Sequence, residues 1–180
     1  IEFAGYRPRT SLLRSPMYDP VLNSSQTATM RSIAKAVAYG YHLYITGEVP
    51  VATVHLLVQK FDERYQLQMT ENQRDHARRK GLATFRLFLW PIHDRTSFFW
   101  VLIRTDGEHP LLAMEQWRDA RNKRSRLQWP WLYELILLPV PPALRRKYAR
   151  KGGEYAIRPM TWTSGLYHRI SCASGFSISC

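Results

Sequence analysis

At 180 residues the chain is long enough for one domain with a buried core plus extensions, and 45% hydrophobic residues exclude general disorder. Lys and Arg number 26 against 14 Asp and Glu, giving a net charge of +12 and a pI near 10.1, which points to a polyanionic partner, nucleic acid before anionic membrane. No run approaches the roughly 18 apolar residues of a spanning helix, and no helix is apolar on one side and basic on the other, so no membrane partner is expected.

In chain order, residues Ile1 to Gln26 carry three prolines and few periodic apolar positions, and are expected to form an irregular N-terminal arm. Thr27 to Ala38 predicts a short helix with Met30, Ile33, Ala34 and Val37 inward, ended by Gly40. Tyr41 to Val49 predicts a strand. Pro50 opens a helix whose stripe is Val51, Val54, Val58, Phe61 and Tyr65, running to about Met69. Thr70 with Gln73 matches a capping box for a further helix ending at Gly81, and Arg74, Arg78, Arg79 and Lys80 lie on its outside.

Ala83 to Gly107 predicts a hairpin turning at Pro91 to Thr96. Each strand alternates: Phe85, Leu87 and Leu89 oppose Arg86, Phe88 and Trp90, and Phe99, Val101 and Ile103 oppose Phe98, Trp100, Leu102 and Arg104. Taken together with His42 and Tyr44 on the preceding strand, Arg86, Phe88, Trp90, Phe98, Trp100 and Arg104 form an expected platform of rings and guanidinium groups. Bases stack on rings and phosphates pair with arginines, so such a face suits a single-stranded nucleic acid; a segment covering it would make the same residues core.

After the hairpin, Leu111 to Leu127 is expected to be a second crossover helix, with Arg118, Arg121, Lys123, Arg124 and Arg126 crowding its C-terminal half. Leu132 to Leu138 is expected to be the last strand of the sheet. The expected single α+β domain is therefore 27–138. Pro139 to Pro142 breaks the chain, and 139–163 is a basic C-terminal extension holding Arg145, Arg146, Lys147, Arg150 and Lys151, with a short strand between Glu154 and Thr163. Residues 164–180 read as a disordered or appended tail. Cys172 and Cys180 lie there, too few and too terminal for a disulfide framework or a Cys-based zinc site. With no apolar leader segment in IEFAGYRPRT, an intracellular protein is expected.

The order strand, helices, strand, strand, helix, strand is β-α-β-β-α-β, the ferredoxin-like split unit with one sheet face left open. This unit, with the aromatic Leu43-Tyr44-Ile45 strand, resembles RNA-recognition-motif domains, which stack bases on that face. It departs from them in a longer first crossover and in SFFWVLIR, which lacks the Lys/Arg-Gly-aromatic pattern, so no family is assigned.

Three constellations bear on catalysis. Asp106 and Glu108, one residue apart, can hold Mg²⁺ with a phosphate, with His109 adjacent; Asp-Gly is equally a turn. His42 beside the arginines suits metal-free RNA cleavage, and His93-Asp94 is an acid–base pair or a polar turn. No cofactor or metal is otherwise expected, and no Ser or Cys nucleophile motif is present. The expectation is a binding protein for RNA or single-stranded DNA, part of a nucleoprotein complex with other subunits. A phosphodiesterase, endoribonuclease or nucleotidyl-transfer enzyme on the same platform is the first alternative, and a protein interaction module the second.

Overall fold

The computed structural model describes residues 25–130, 133–137 and 160–164. The expectations placed on 1–24, 138–159 and 165–180 lie outside these residues, including the basic cluster Arg145, Arg146, Lys147, Arg150 and Lys151.

Helix α1, Gln26–Ala38, begins where the Ser25 side chain accepts from the Ala28 amide, and it buries the expected positions Met30, Ile33, Ala34 and Val37. Gly40, at φ 104°, turns the chain into β1, Leu43–Pro50. A 3₁₀ turn, Val51–Thr53, precedes α2, Val54–Tyr65, which stops at Gln66 in the left-handed region. Helix α3, Glu71–Arg79, starts with the expected reciprocal cap: the Gln73 amide donates to Thr70 Oγ1 and the Thr70 amide to Gln73 Oε1. Strands β2, Phe85–Ile92, and β3, Ser97–Arg104, are the expected hairpin.

Beyond Arg104 the structure departs from expectation. The segment Leu111 to Leu127 is not a helix: it holds a 3₁₀ turn at Leu112–Met114 and a two-residue strand β4, Arg118–Asp119. Asp119 Oδ1 accepts from the Arg121 amide (2.8 Å) and Asn122 Oδ1 from the Arg124 amide (3.0 Å). These side chains thus cap amides that a helix would have used. Leu132 to Leu138 does not join the main sheet either. Its strand β6, Tyr133–Leu137, lies between β5, Gln128–Trp129, and β7, Met160–Ser164, in a separate three-stranded sheet. The far end of the expected extension, as β7, therefore pairs with the domain.

The main sheet is antiparallel with order β2-β3-β1-β4, giving a mixed α+β architecture. Its faces follow from the hairpin register. Ile92 pairs with Ser97 across a four-residue loop, so Phe85 faces Arg104, Leu89 faces Trp100 and Trp90 faces Phe99. Phe85, Leu87, Leu89, Phe98, Trp100 and Leu102 consequently share one face, packed by Val58, Phe61 and Tyr65 of α2. Phe88, Trp90, Phe99, Val101, Ile103 and Tyr44 share the other, packed by α1 and by Leu127, Trp129, Leu135 and Trp162 around the second sheet. The expected open face is therefore absent: both faces carry core. No helix among the described residues is long and apolar enough to cross a membrane.

Trp100 illustrates the packing. Its ring meets Phe61 edge-on at 5.2 Å and lies on Gly47, where a Cβ would stand 2.8 Å from the indole. Trp100→Ala should therefore lower the unfolding free energy by about 3 kcal/mol, measured in urea, the low end of the range for a large core aromatic because the ring is half-buried. A change below about 0.5 kcal/mol would show that the ring is a surface group.

Candidate functional site

The aromatic residues singled out by the sequence do not form one platform. Tyr44 faces Ile103, Phe88 faces Val101 and Trp90 faces Phe99, while Phe98 and Trp100 stand on the opposite side of the sheet. Trp90 lies 6.3 Å from Trp129, which in turn meets Phe99 at 5.4 Å and Trp162 at 5.9 Å. Tyr44 is 2% exposed, its hydroxyl donating to the carbonyls of Ser125 and Arg126; burial pushes its pKa up, against the opposing effect of Arg118. The two platform arginines are likewise separated. Arg86 stands beside α3, its guanidinium 4.9 Å from the centre of the Tyr41 ring, whereas Arg104 is buried on the other face against Trp117.

The catalytic candidates gather at the end of the sheet where β1 begins and β3 ends. His42 Nε2 and Asp106 Oδ1 are 3.1 Å apart, but the histidine is 5% exposed while the Asp106 side chain is 77% exposed. The imidazole is thus the inaccessible member of the pair, the reverse of what a general base on a bound substrate needs. Glu108 is fixed through its backbone, donating to the Gly81 carbonyl and accepting from the Ala83 amide. Gly107 makes that approach possible, since a Cβ there would fall 2.6 Å from the Leu82 carbonyl carbon. His109 is half-buried, its ring edge-on to Phe85 at 5.0 Å, and Nδ1 accepts from the Leu111 amide. Burial, helped by the charge of Arg104, holds its pKa below the ordinary imidazole range. Among the described residues no three His, Cys, Asp or Glu side chains come together as metal ligands. His93, in the hairpin loop, has Nε2 3.6 Å from Glu48.

The basic residues divide by whether a carboxylate holds them. Arg74, Arg78 and Arg86 converge on Glu71, with Arg86 Nη2 2.5 Å from Glu71 Oε2, and Arg78 also binds Asp75. Arg121 places its fork on Asp119, at 2.7 Å for Nη2, and Arg126 lies 3.6 Å from Glu134. Arg79, Lys80, Arg118, Lys123 and Arg124 are exposed, and none makes an ion pair among the described residues. Backbone connections bring these five to one end of the sheet. Gly81 and Ala83 bond to Glu108, Ala120 donates to the His42 carbonyl at 2.8 Å, and Arg118 lies opposite Tyr44 on β1. Arg79 and Lys80, at the end of α3, thus stand on the β2 side of this sheet end, and Lys123 and Arg124 on the β4 side.

Comparisons with known proteins find no matching family model, no matching curated relative and no matching solved structure. The function has to be read from the site.

Sequence reasoning gives no site role to Tyr65, Trp117 or Asp119. Asp119 is the residue that shapes the basic loop, because it holds the Arg121 side chain and amide together. The Asp-x-Arg and Asn-x-Arg spacings at Asp119 and Asn122 carry that signal. Burial pushes the Asp119 carboxyl up, but the hydrogen bonds and charge of Arg121 outweigh it and leave the pKa lowered. A carboxyl with a depressed folded pKa stabilises above its unfolded pKa, near 4, and that stabilisation is lost as pH falls through the folded value. Asp119→Asn should thus cost about 1 kcal/mol in urea unfolding at pH 7, and a smaller amount at an acid pH below the unfolded carboxyl pKa. A deficit that is the same at both pH values would contradict the assignment.

Proposed function

We propose that this protein binds single-stranded or structured nucleic acid through the basic end of its main sheet, as one component of a nucleoprotein assembly. The observation that carries this reading is the set of exposed cations without ion pairs, Arg79, Lys80, Arg118, Lys123 and Arg124, at the two corners of one sheet end in a chain of net charge +12. Arg74, Arg78, Arg86, Arg121 and Arg126 are held by Glu71, Asp75, Asp119 and Glu134, and the exposed Arg31, Lys35, Lys60 and Arg95 lie away from this end, on α1, on α2 and in the hairpin loop; the five at the sheet end remain available to phosphates.

The fold reading that accompanies this proposal is a ferredoxin-like unit lacking its second helix. Strands β1 and β2 both run antiparallel to β3, which lies between them, and α2 and α3 make the crossover, as in a split β-α-β unit. The loop that replaces the second helix is the one bearing Arg118, Lys123 and Arg124. Binding in this reading is electrostatic, with the sheet aromatics serving as core instead of as a stacking surface.

A phosphodiesterase is the second reading, and the His42–Asp106 pair is what favours it; the burial of His42 weighs against it.

The experiment is a titration of the protein against labelled single-stranded RNA, single-stranded DNA and duplex DNA at several salt concentrations. Replacing Arg118, Lys123 and Arg124 together by Ala should lower the slope of log affinity against log salt by about 2, roughly 0.7 for each single-strand phosphate that is no longer neutralised. An unchanged slope would place the binding surface elsewhere. Hydrolysis of the RNA that Asp106→Asn abolishes would favour the enzyme.

A further inference from the structure

Glu71, the first residue of α3, carries one carboxylate, and three arginines converge on it. Arg86 Nη2 lies 2.5 Å and Arg74 Nη1 3.6 Å from Oε2, and Arg78 Nη2 lies 3.3 Å from Oε1, so both oxygens are taken. The start of α3 is capped without this carboxylate, since Thr70 and Gln73 already close the reciprocal pair. Nor does one carboxylate balance three guanidinium groups. Asp75 takes a share of Arg78, which still leaves three cations against two anions.

Each arginine keeps a second anchor that does not involve Glu71. Arg74 Nη2 donates to the Leu67 carbonyl at 2.8 Å. Arg78 also binds Asp75, and its guanidinium carbon stands 5.6 Å from the centre of the Tyr41 ring; that of Arg86 stands 4.9 Å from the same ring. Tyr41 is buried and its hydroxyl accepts from Thr84 Oγ1 at 3.3 Å, so the ring that both cations face is fixed in the core. The carboxylate is placed differently. The Glu71 side chain is 54% exposed, against 15%, 28% and 33% for those of Arg74, Arg78 and Arg86. The donors are thus held by the fold, while the acceptor lies on the solvent side and leaves by rotating its own side chain.

We propose that Arg74, Arg78 and Arg86 form a site for one backbone phosphate of a single strand, which the Glu71 carboxylate fills in the free protein and from which the strand displaces it. A carboxylate and a phosphodiester each carry one negative charge on two equivalent oxygens, so donors arranged for the first accept the second. The site rests on the nucleic-acid reading above and extends it along α3, because Arg78 adjoins Arg79 and Lys80, two of the five open cations. Glu71 is then an internal competitor that lowers the affinity for the strand.

The test is a titration of the full chain with a labelled single-stranded RNA at several salt concentrations, for the wild type, Glu71→Gln, and Glu71→Gln combined with Arg86→Gln. Glu71→Gln should bind about tenfold tighter than the wild type, one charge-assisted contact having been freed. Its slope of log affinity against log salt should steepen by about 0.7, one further single-strand phosphate being neutralised. Adding Arg86→Gln should remove the gain. Glu63→Gln takes the same charge from the exposed side of α2 and should change affinity by less than about twofold, which separates a freed site from a change in net charge. Should Glu71→Gln lower the melting temperature, Glu71→Asp is read in its place; it keeps the charge but withdraws it by one methylene, and a smaller gain in the same direction is expected. No gain in either Glu71 variant, or an equal gain in Glu63→Gln, would overturn the site. Strand binding by the wild type that Lys123→Ala with Arg124→Ala weakens and Glu71→Gln fails to strengthen would remove this site alone, whereas no strand binding by any variant would remove the nucleic-acid reading with it.

Discussion

The register of β2 against β3 is the constraint on which the remainder of this molecule depends. With side chains alternating at period two, a hairpin loop of even or odd length decides which rows of two strands share a face. The four residues between Ile92 and Ser97 pair Leu89 with Trp100 and Trp90 with Phe99. Each face therefore receives one aliphatic and one aromatic-rich row, and each is apolar enough to need a cover. Helix α2 supplies one and α1, with the second sheet, the other. A loop one residue longer or shorter would have gathered Phe88, Trp90, Phe98 and Trp100 on a single side.

Once both faces are core, charge is left to the rim. Glu71 and Asp75 bind the arginines that flank Tyr41, Asp119 binds Arg121, and Glu134 lies near Arg126. Five cations without such partners, Arg79, Lys80, Arg118, Lys123 and Arg124, fall at one end of the sheet, where the α3 C-terminus, the start of β1, the end of β3 and the β4 loop meet. The same end holds Arg104, whose charge is buried but unpaired.

Local signals are legible in the sequence. Period-3.6 spacing marks α1 and most of α2, the Thr70–Gln73 pair marks the start of α3, and alternation marks both hairpin strands. Pairing is not legible. Alternation assigns each strand two faces but leaves open which faces coincide across a turn. Apolarity alone matches the rows Phe85–Leu89 and Phe99–Ile103, whereas the loop sets them on opposite sides. The Leu111 to Leu127 segment misleads for a different reason. Its few apolar positions fit a helix, while Asp119 and Asn122 compete for the backbone amides that follow them and turn it into a loop. Of the site, the basic clusters are visible by composition. Which members lack a carboxylate depends on Glu71, Asp75 and Asp119, whose partners are set by tertiary structure.

If the sheet aromatics are core and the ligand lies along the basic sheet end, the two regions must respond differently to binding. Backbone amide shifts of the labelled protein, followed through a titration with a short single-stranded RNA, separate them. Perturbations are expected to concentrate at Arg79 to Leu82, Asp106 to Glu108 and Arg118 to Arg126, with Phe88, Trp90, Phe98 and Trp100 little changed. The largest perturbations at those four aromatic positions, with the basic end silent, would contradict this arrangement.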